Sequence, residues 1–262
     1  MTSRTAQRRE SARLAELAIA QAARDATARR RRGRAAVVAI IVAFFVVAVA
    51  IVSGSGGGPA TAANGARVSN AAYSHALLAG IPQHGLVLGS PDAPARIVEF
   101  ADLQCPYCDE FATQALPSLI TRYVRPGKVS IEFRNLSFIG AASVRAGLAA
   151  AGAEQQNMLW NFIDLMYLNQ GEENSGYVTN AYLHRLFAAI PGLDAARAER
   201  ASRTPEAAAV LSAANAAASA YGITGTPSFL VSHAGGPLRV FQPDSLAARP
   251  FAREFDSLLA SR

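Results

Sequence analysis

The chain has 262 residues, enough for one or two domains, and its charge is unevenly distributed. The formal net charge of +6 arises from residues 1–34, where ten arginines outnumber three acidic residues, so the rest of the chain sums to about −1. Residues 1–34 are therefore predicted to be a solvated basic tail, and we expect no nucleic-acid-binding surface on the folded part.

Residues 35–52 are predicted to form a single transmembrane helix. They comprise twelve Val, Ile or Phe residues and six alanines, without one polar side chain. The segment is just long enough to span a bilayer, and its side chains favour insertion by roughly 4 to 7 kcal/mol. Four consecutive arginines at 29–32 precede it, and the positive-inside rule keeps this end in the cytoplasm. We therefore expect a cell-membrane protein with a cytoplasmic tail and an extracytoplasmic C-terminal domain.

A cleaved signal peptide is the alternative interpretation of the apolar segment. Ala60-Thr61-Ala62 resembles a small-residue cleavage site. However, the apolar segment and the basic residues before it are both longer than is typical of signal peptides. Either interpretation exports the folded part to a compartment in which disulfides persist.

The segment 53–82 is predicted to be a flexible linker. Its first half, 53–67, is rich in glycine and has no apolar periodicity, which is typical of a tether. A short helix could form within residues 68–81.

Residues 83–262 have the pattern of one α/β domain. Strand-like segments occur at 86–88, 96–101, 129–134, 228–231 and 238–241. Helices are predicted from the cysteines to about residue 123 and over 245–259, and residues 141–221 are helical in pattern almost throughout. This order indicates a mixed sheet with helices on both faces and a helical block inserted into the α/β frame.

Cys105-Pro106-Tyr107-Cys108 contains both cysteines of the chain and directly follows the strand-like segment 96–101. If a helix begins here, the two Cα atoms lie roughly 5 Å apart, within the range that a disulfide requires. The partial positive charge of a helix N-terminus also favours ionisation of the first thiol. The spacing therefore indicates a redox-active cysteine pair.

Two structural interpretations of this pair compete with the redox one. A static disulfide would normally join distant segments, because closing so short a loop removes little entropy from the unfolded chain. A structural zinc site needs about four nitrogen or sulfur ligands, and no second cysteine pair or closely spaced histidine pair is present in the sequence. Both are less favoured than a redox pair.

Several motifs resemble the DsbA-like branch of the thioredoxin superfamily. They are GLVLG at 85–89, PDAP at 91–94, VEFADLQCPYC at 98–108 and GITGTPSF at 222–229. The resemblance covers about residues 82–260 and implies a thioredoxin-like fold with a helical domain inserted at about 141–221. The tail, the apolar segment and the tether lie outside it.

The resemblance also implies roles for site residues. Cys105 would be the exposed nucleophile, Cys108 the resolving thiol, and Pro106 and Tyr107 the dipeptide between them. Glu99 would lie beneath the resolving cysteine and relay its proton, although an acid that faces water or pairs with an arginine is the alternative from the residues alone.

A second implied site is Thr226-Pro227. In this superfamily the proline is cis and lies against the cysteines, so that the backbone of Thr226 would pair with an extended substrate segment. An ordinary trans proline at the start of a strand is the alternative, since only about 5 to 6% of X–Pro bonds are cis.

These features predict a thiol–disulfide oxidoreductase that donates the Cys105–Cys108 disulfide to exported proteins with free thiols. It would need no metal or organic cofactor, and the resemblance implies reoxidation by a quinone-linked membrane thiol oxidase. A disulfide reductase or isomerase on the same fold is one alternative. A copper- or zinc-handling protein that uses both thiolates is another, of a different class.

Overall fold

A mixed β-sheet forms the centre of the domain. The computed structural model describes residues 68–233 and 235–260, and within them the sheet has six strands in the order β1-β2-β4-β3-β5-β6. The strands are β1 Gln83–His84, β2 Val87–Leu88, β3 Ala95–Ala101, β4 Val129–Asn135, β5 Ser228–His233 and β6 Arg239–Phe241. β3 and β4 are parallel, and the other neighbouring pairs are antiparallel. The prediction of a mixed sheet is therefore confirmed.

The two central strands are buried on both faces. All residues of β3 except Arg96, and all residues of β4 except Arg134, are buried. In β3 five of the seven residues are apolar, as is typical of a strand buried on both faces, whereas in β4 the apolar residues Val129, Ile131 and Phe133 alternate with polar ones. In contrast, β1 has only two residues and no apolar pattern, so the sequence did not predict it.

Helices cover both faces of the sheet. A long helical segment, α2, runs through residues 106–124 and alternates between α-helical and π-helical turns; Pro117 within it has no N–H for the helical ladder. The other helices of the described residues are α1 Ala71–Leu78, α3 Ala141–Glu154, α4 Leu159–Tyr167, α5 Asn180–Ala188, α6 Ala195–Ala201, α7 Pro205–Ala220 and α8 Ala248–Ala260. The helices α3 to α7 lie between β4 and β5 in the chain, which confirms the thioredoxin-like fold with a helical insertion.

The helix α1 packs on the domain. Its last residue, Leu78, is buried in the core, and the Arg125 side chain donates hydrogen bonds to the carbonyls of Leu77 (2.7 Å) and Ala79 (2.9 Å). The end of the segment assigned to a linker from the sequence is therefore held against the folded domain. Residues 1–67, with the predicted tail, transmembrane helix and tether, lie outside the described residues. Among the residues that are described, no helix combines the length and apolar character needed to cross a bilayer.

The strand order positions the two halves of the candidate site. β3 ends immediately before the turn that leads to the cysteines, and β5 begins immediately after Thr226-Pro227. These strands are antiparallel neighbours, with Phe100 opposite Ser228. The end of one and the start of the other therefore meet at the same edge of the sheet, and the segments beyond them become neighbours in space.

Candidate active site

Cys105 caps the N-terminus of α2. Its backbone is extended (φ −70°, ψ 122°), and the helix begins at Pro106, where a missing N–H costs no helical hydrogen bond. Cys108 lies within the first turn, and both residues are free thiols in this structure. The sequence prediction of a helix that begins at the cysteine pair is confirmed.

The two thiols differ strongly in acidity. A hydrogen bond from Cys108 is the largest cause that lowers the pKa of Cys105, and the backbone N–H groups of Tyr107 and Cys108 add to it. Partial burial opposes these effects, and the pKa of Cys105 is about 6. The pKa of Cys108 is raised well above its ordinary value, chiefly by burial and then by its interaction with Cys105. Near neutral pH the pair therefore holds one thiolate on Cys105 and one thiol on Cys108.

Cys105 is less accessible than the resemblance implied. Only 5% of Cys105 is exposed, against 0% of Cys108, so the expectation of an exposed nucleophile is wrong for this conformation. The reason is the loop before β5, whose Thr226 carbonyl oxygen lies 3.5 Å from the Cys105 sulfur. Tyr107, between the cysteines, is 62% exposed and lies at the rim of the site.

Alkylation of the reduced protein by iodoacetamide tests this difference in acidity. We expect a single modified cysteine, Cys105, whose reaction rate rises with pH around a midpoint of about 6, because the thiolate is the reactive form. Mass spectrometry of the modified peptide gives the position, and Cys105→Ser is the control for residual labelling of Cys108. A midpoint near that of a free thiol, about 8.5, would contradict the electrostatics described here.

Glu99 lies in the middle of β3 and is 2% exposed. Its Oε1 atom has no hydrogen-bond partner among the described residues, and burial raises the pKa of Glu99 to about 8. Repulsion from Glu99 is also among the causes that raise the pKa of Cys108. The alternatives of an acid facing water or paired with an arginine do not describe this side chain.

The Thr226–Pro227 peptide bond is cis, as the resemblance implies. The loop around it lines an open groove of about 620 Å³, together with residues 240–243 and Leu246. The structure therefore brings Thr226 and Pro227 beside Cys105, although 121 residues separate Cys105 from Thr226 in the chain. Substrate pairing with the Thr226 backbone stays a prediction.

Asp102 supports the turn that leads to the cysteines. It is fully buried, and its carboxylate accepts hydrogen bonds from the backbone N–H groups of Gln104 (2.9 Å), Phe138 (3.0 Å) and Ile139 (3.1 Å). Its carbonyl accepts a further bond from the N–H of Cys105 (3.0 Å). The sequence by itself gives no sign of this role, because it does not show whether Asp102 is solvated or buried.

The helical insertion holds the same turn through two glutamines. Gln104 is fully buried; its side chain donates to the Ser143 hydroxyl (2.9 Å) and accepts from the Asn174 N–H (3.2 Å). Gln170 donates to the carbonyl of Cys105 (3.3 Å). No sequence signal pointed to Gln170, since it lies 65 residues after Cys105 in a polar segment.

Metal-ligating side chains do not gather in the part of the chain that the structure describes. Groups of three or more His, Cys, Asp or Glu side chains that could hold a metal ion do not occur among those residues. The two sulfurs of Cys105 and Cys108 are therefore the soft ligands available at this site.

Comparisons with known proteins agree with this architecture. A family model described as Thioredoxin matches residues 82–235. The chain is 37% identical over 99 residues to the "Probable disulfide bond formation protein D" of Bacillus cereus, and 32% identical over 99 residues to the "Disulfide bond formation protein D" of Bacillus subtilis. Each match covers 37% of this chain and 45% of the relative, so the chain spans about half the length of the curated relatives it matches.

Among solved structures, oxidised BdbD from Bacillus subtilis superimposes with a TM-score of 0.59. The match covers 68% of this chain and 97% of that chain, at 22% sequence identity. It supports the fold, including the helical insertion.

Proposed function

This chain belongs to the thioredoxin family, and from that premise we propose that it is a protein disulfide oxidoreductase that introduces disulfides into exported proteins through Cys105 and Cys108. The observation that carries the proposal is the difference in acidity between the two thiols of one helical turn. The names of the Bacillus relatives, disulfide bond formation protein D, agree with it.

In the first step a substrate thiolate attacks the Cys105 sulfur of the Cys105–Cys108 disulfide. A bond forms between the substrate sulfur and Cys105, and the electron pair of the broken bond goes to Cys108. Because Cys108 is fully buried and its pKa is raised, it takes up a proton. Glu99, whose pKa is raised to about 8 and which is therefore mostly protonated at neutral pH, would supply that proton.

In the second step another substrate thiolate attacks the substrate sulfur of the mixed disulfide, and Cys105 departs as a thiolate. Its low pKa makes it a good leaving group, and the hydrogen bond from Cys108 stabilises the product. A dithiol whose reduced form is stabilised in this way is an oxidant, because reduction of its disulfide is favourable. The acidity of Cys105 therefore favours disulfide donation over disulfide reduction.

The partners are proposed on the same grounds. The reduced enzyme must be reoxidised, and we propose a quinone-linked membrane thiol oxidase as the acceptor of its electrons. The redox-active disulfide needs no metal or organic cofactor in this scheme. Exported proteins with free thiols would be its substrates, with their extended segments lying along the Thr226 backbone beside Pro227.

A redox titration of the full chain in glutathione buffers tests the direction of exchange. We expect a reduction potential above about −200 mV, with thiol alkylation and mass spectrometry as the readout. A potential near about −270 mV, as in cytosolic reductants, would overturn the oxidase assignment in favour of the reductase. The Cys105→Ser variant provides the background of the assay.

We also propose that residues 35–52 anchor the protein in the cell membrane, with residues 1–34 in the cytoplasm and the catalytic domain outside. Protease added to intact spheroplasts should digest the domain and leave a protected fragment of the N-terminal region. As a matched control, the arginines at 29–32 are exchanged for glutamate. This change should reduce the fraction of molecules with the N-terminus in the cytoplasm, because basic residues keep the adjoining end of a transmembrane segment on the cytoplasmic side. Full protection of the domain would contradict this topology.

A further inference from the structure

A small cavity within the core is lined on one side by Glu99. Its free volume is about 10 Å³, close to the minimum that one water molecule needs. Apolar side chains from α1, α2, β4 and α4 form most of its wall, among them Leu78, Phe133 and Trp160. Two carboxyl groups also line it, Glu99 from β3 and Asp164 from α4.

Both carboxyl groups are incompletely satisfied. Glu99 Oε1 and Asp164 Oδ2 are buried and have no hydrogen-bond partner among the described residues. No lysine, arginine or histidine is among the described residues that line the cavity, so neither carboxyl has a counter-ion there. Unpaired buried oxygens are costly unless they have a partner such as water, and a cavity between two of them is a polar site of the right size for one.

The proposed reaction needs a proton path at this position. Reduction of the disulfide adds one proton to Cys108, which is inaccessible to solvent, and Glu99, the nearby donor, is itself only 2% exposed. At neutral pH the Glu99 carboxylate regains a proton because its pKa is about 8, and with 2% of its surface exposed it has little direct contact with bulk water. Asp164 is 8% exposed, lines the same cavity and is hydrogen-bonded to Ser74 of α1.

We propose that Asp164 is the outer proton-relay residue of this enzyme, which returns protons to Glu99 through one water molecule in the shared cavity. The inference rests on the proposed function. When Cys108 leaves the disulfide as a thiolate, the Glu99 carboxyl gives it a proton. The water then gives a proton to the Glu99 carboxylate and receives one from Asp164, which is reprotonated by solvent. One proton enters per disulfide reduced, and the electron pair stays on Cys108.

The surrounding groups agree with this path. Burial raises the pKa of Asp164, so that its carboxyl can hold a proton at a higher pH than a solvated aspartate, and a hydrogen bond with Ser74 of α1 opposes that shift. Tyr167 is the other titratable group on the cavity wall, and burial raises its pKa well above its ordinary value, so it stays neutral. Cys108 of α2 interacts electrostatically with Glu99, and this interaction helps to raise the pKa of Cys108.

The test is multiple-turnover oxidation of a dithiol peptide by the full chain in detergent, with glutathione disulfide as the reoxidant, in H₂O and D₂O. Asp164→Asn should lower the rate at pH 7 by roughly tenfold or more and increase the solvent isotope effect, because proton delivery becomes limiting. Asp164→Glu should restore most of the rate. Glu154→Gln is the control: it removes a half-buried carboxyl that also has a raised pKa but does not line the cavity, and it should change neither quantity.

An unchanged rate and isotope effect in Asp164→Asn would overturn the relay, and so would a slower rate with an unchanged isotope effect, which would indicate a structural role. Failure of the unaltered chain to oxidise the peptide would instead overturn the proposed function. If Asp164→Asn does not fold, infrared difference spectra of the unaltered chain decide. Reduction of the disulfide should perturb two carboxyl C=O bands, one from Glu99 and one from Asp164, and the Asp164 band should shift when aspartate is labelled with ¹³C. Perturbation of a glutamate band alone would refute the proposal.

Discussion

Cys105→Ser should lower oxidation of a dithiol peptide by more than roughly a thousandfold, because an oxygen in place of the sulfur can neither form the disulfide nor leave as a thiolate. Cys108→Ala should behave differently. Cys105 keeps its thiol, so it can form a mixed disulfide with a substrate but has no partner thiol to release it. The structure predicts this asymmetry because Cys105 has the low pKa, whereas Cys108 is fully buried and its pKa is raised.

The measurement is non-reducing electrophoresis and mass spectrometry of each variant expressed in cells, beside peptide oxidation in vitro. Cys108→Ala should yield covalent adducts with exported proteins that contain paired cysteines. Tyr107→Phe is a suitable control, since it changes the exposed residue between the cysteines without altering either thiol. Peptide oxidation that survives in Cys105→Ser, or adducts on Cys108 in its place, would contradict the assignment.

Glu99→Gln is expected to stabilise the reduced protein at neutral pH by up to about 3 kcal/mol. Burial raises the pKa of Glu99 from 4.5 to about 8, so at pH 7 the folded protein holds a proton that the unfolded chain has released. Each pKa unit between 4.5 and the working pH costs about 1.4 kcal/mol of stability. Glutamine is neutral at every pH and removes this cost.

The stability difference between Glu99→Gln and the unaltered protein should depend on pH. Below pH 4.5 glutamate is protonated in both states, and the two proteins should unfold with the same free energy. The gain in the free energy of unfolding from Glu99→Gln should grow as the pH rises from 4.5 to about 8. It should level off above that pH. Urea denaturation at pH 4, 7 and 9 measures it.

A matched control for this prediction lies one strand away. Glu132 in β4 is as deeply buried as Glu99, but it forms ion pairs with Arg96 and Arg134. Glu132→Gln should therefore destabilise the protein at pH 7 by about 3 kcal/mol, since it leaves two partly buried arginines without their counter-ion. Equal effects of both substitutions would show that burial alone, and not pairing, decides their sign.

The cost of Glu99 bears on its role. A carboxyl that destabilises the fold at neutral pH and has no ion-pair partner among the described residues serves no evident structural purpose. Proton transfer to Cys108 is a function that needs these properties, because the donor must hold a proton near pH 7 and be buried in the core with that thiol.

Much of this protein could be determined from its sequence alone. The start of α2 at the cysteines, the central strands β3 and β4 and the helical block were predicted from the residues, the cis peptide bond before Pro227 was implied by the family resemblance, and the structure confirms them. These features depend on residues close together in the chain: apolar periodicity, a proline in a first helical turn, or a contiguous motif. The roles of residues 1–52 stay predictions.

Other properties were decided by the tertiary structure. The burial of Cys105 under Thr226, the support of the cysteine turn by Asp102 and Gln170, and the cavity that joins Glu99 to Asp164 all unite segments that lie 36 to 121 residues apart. A single sequence shows that such residues are polar, but it does not show whether water or protein surrounds them. Their pKa values, and so their chemistry, depend on that surrounding, because desolvation and hydrogen bonding act only once the chain has folded.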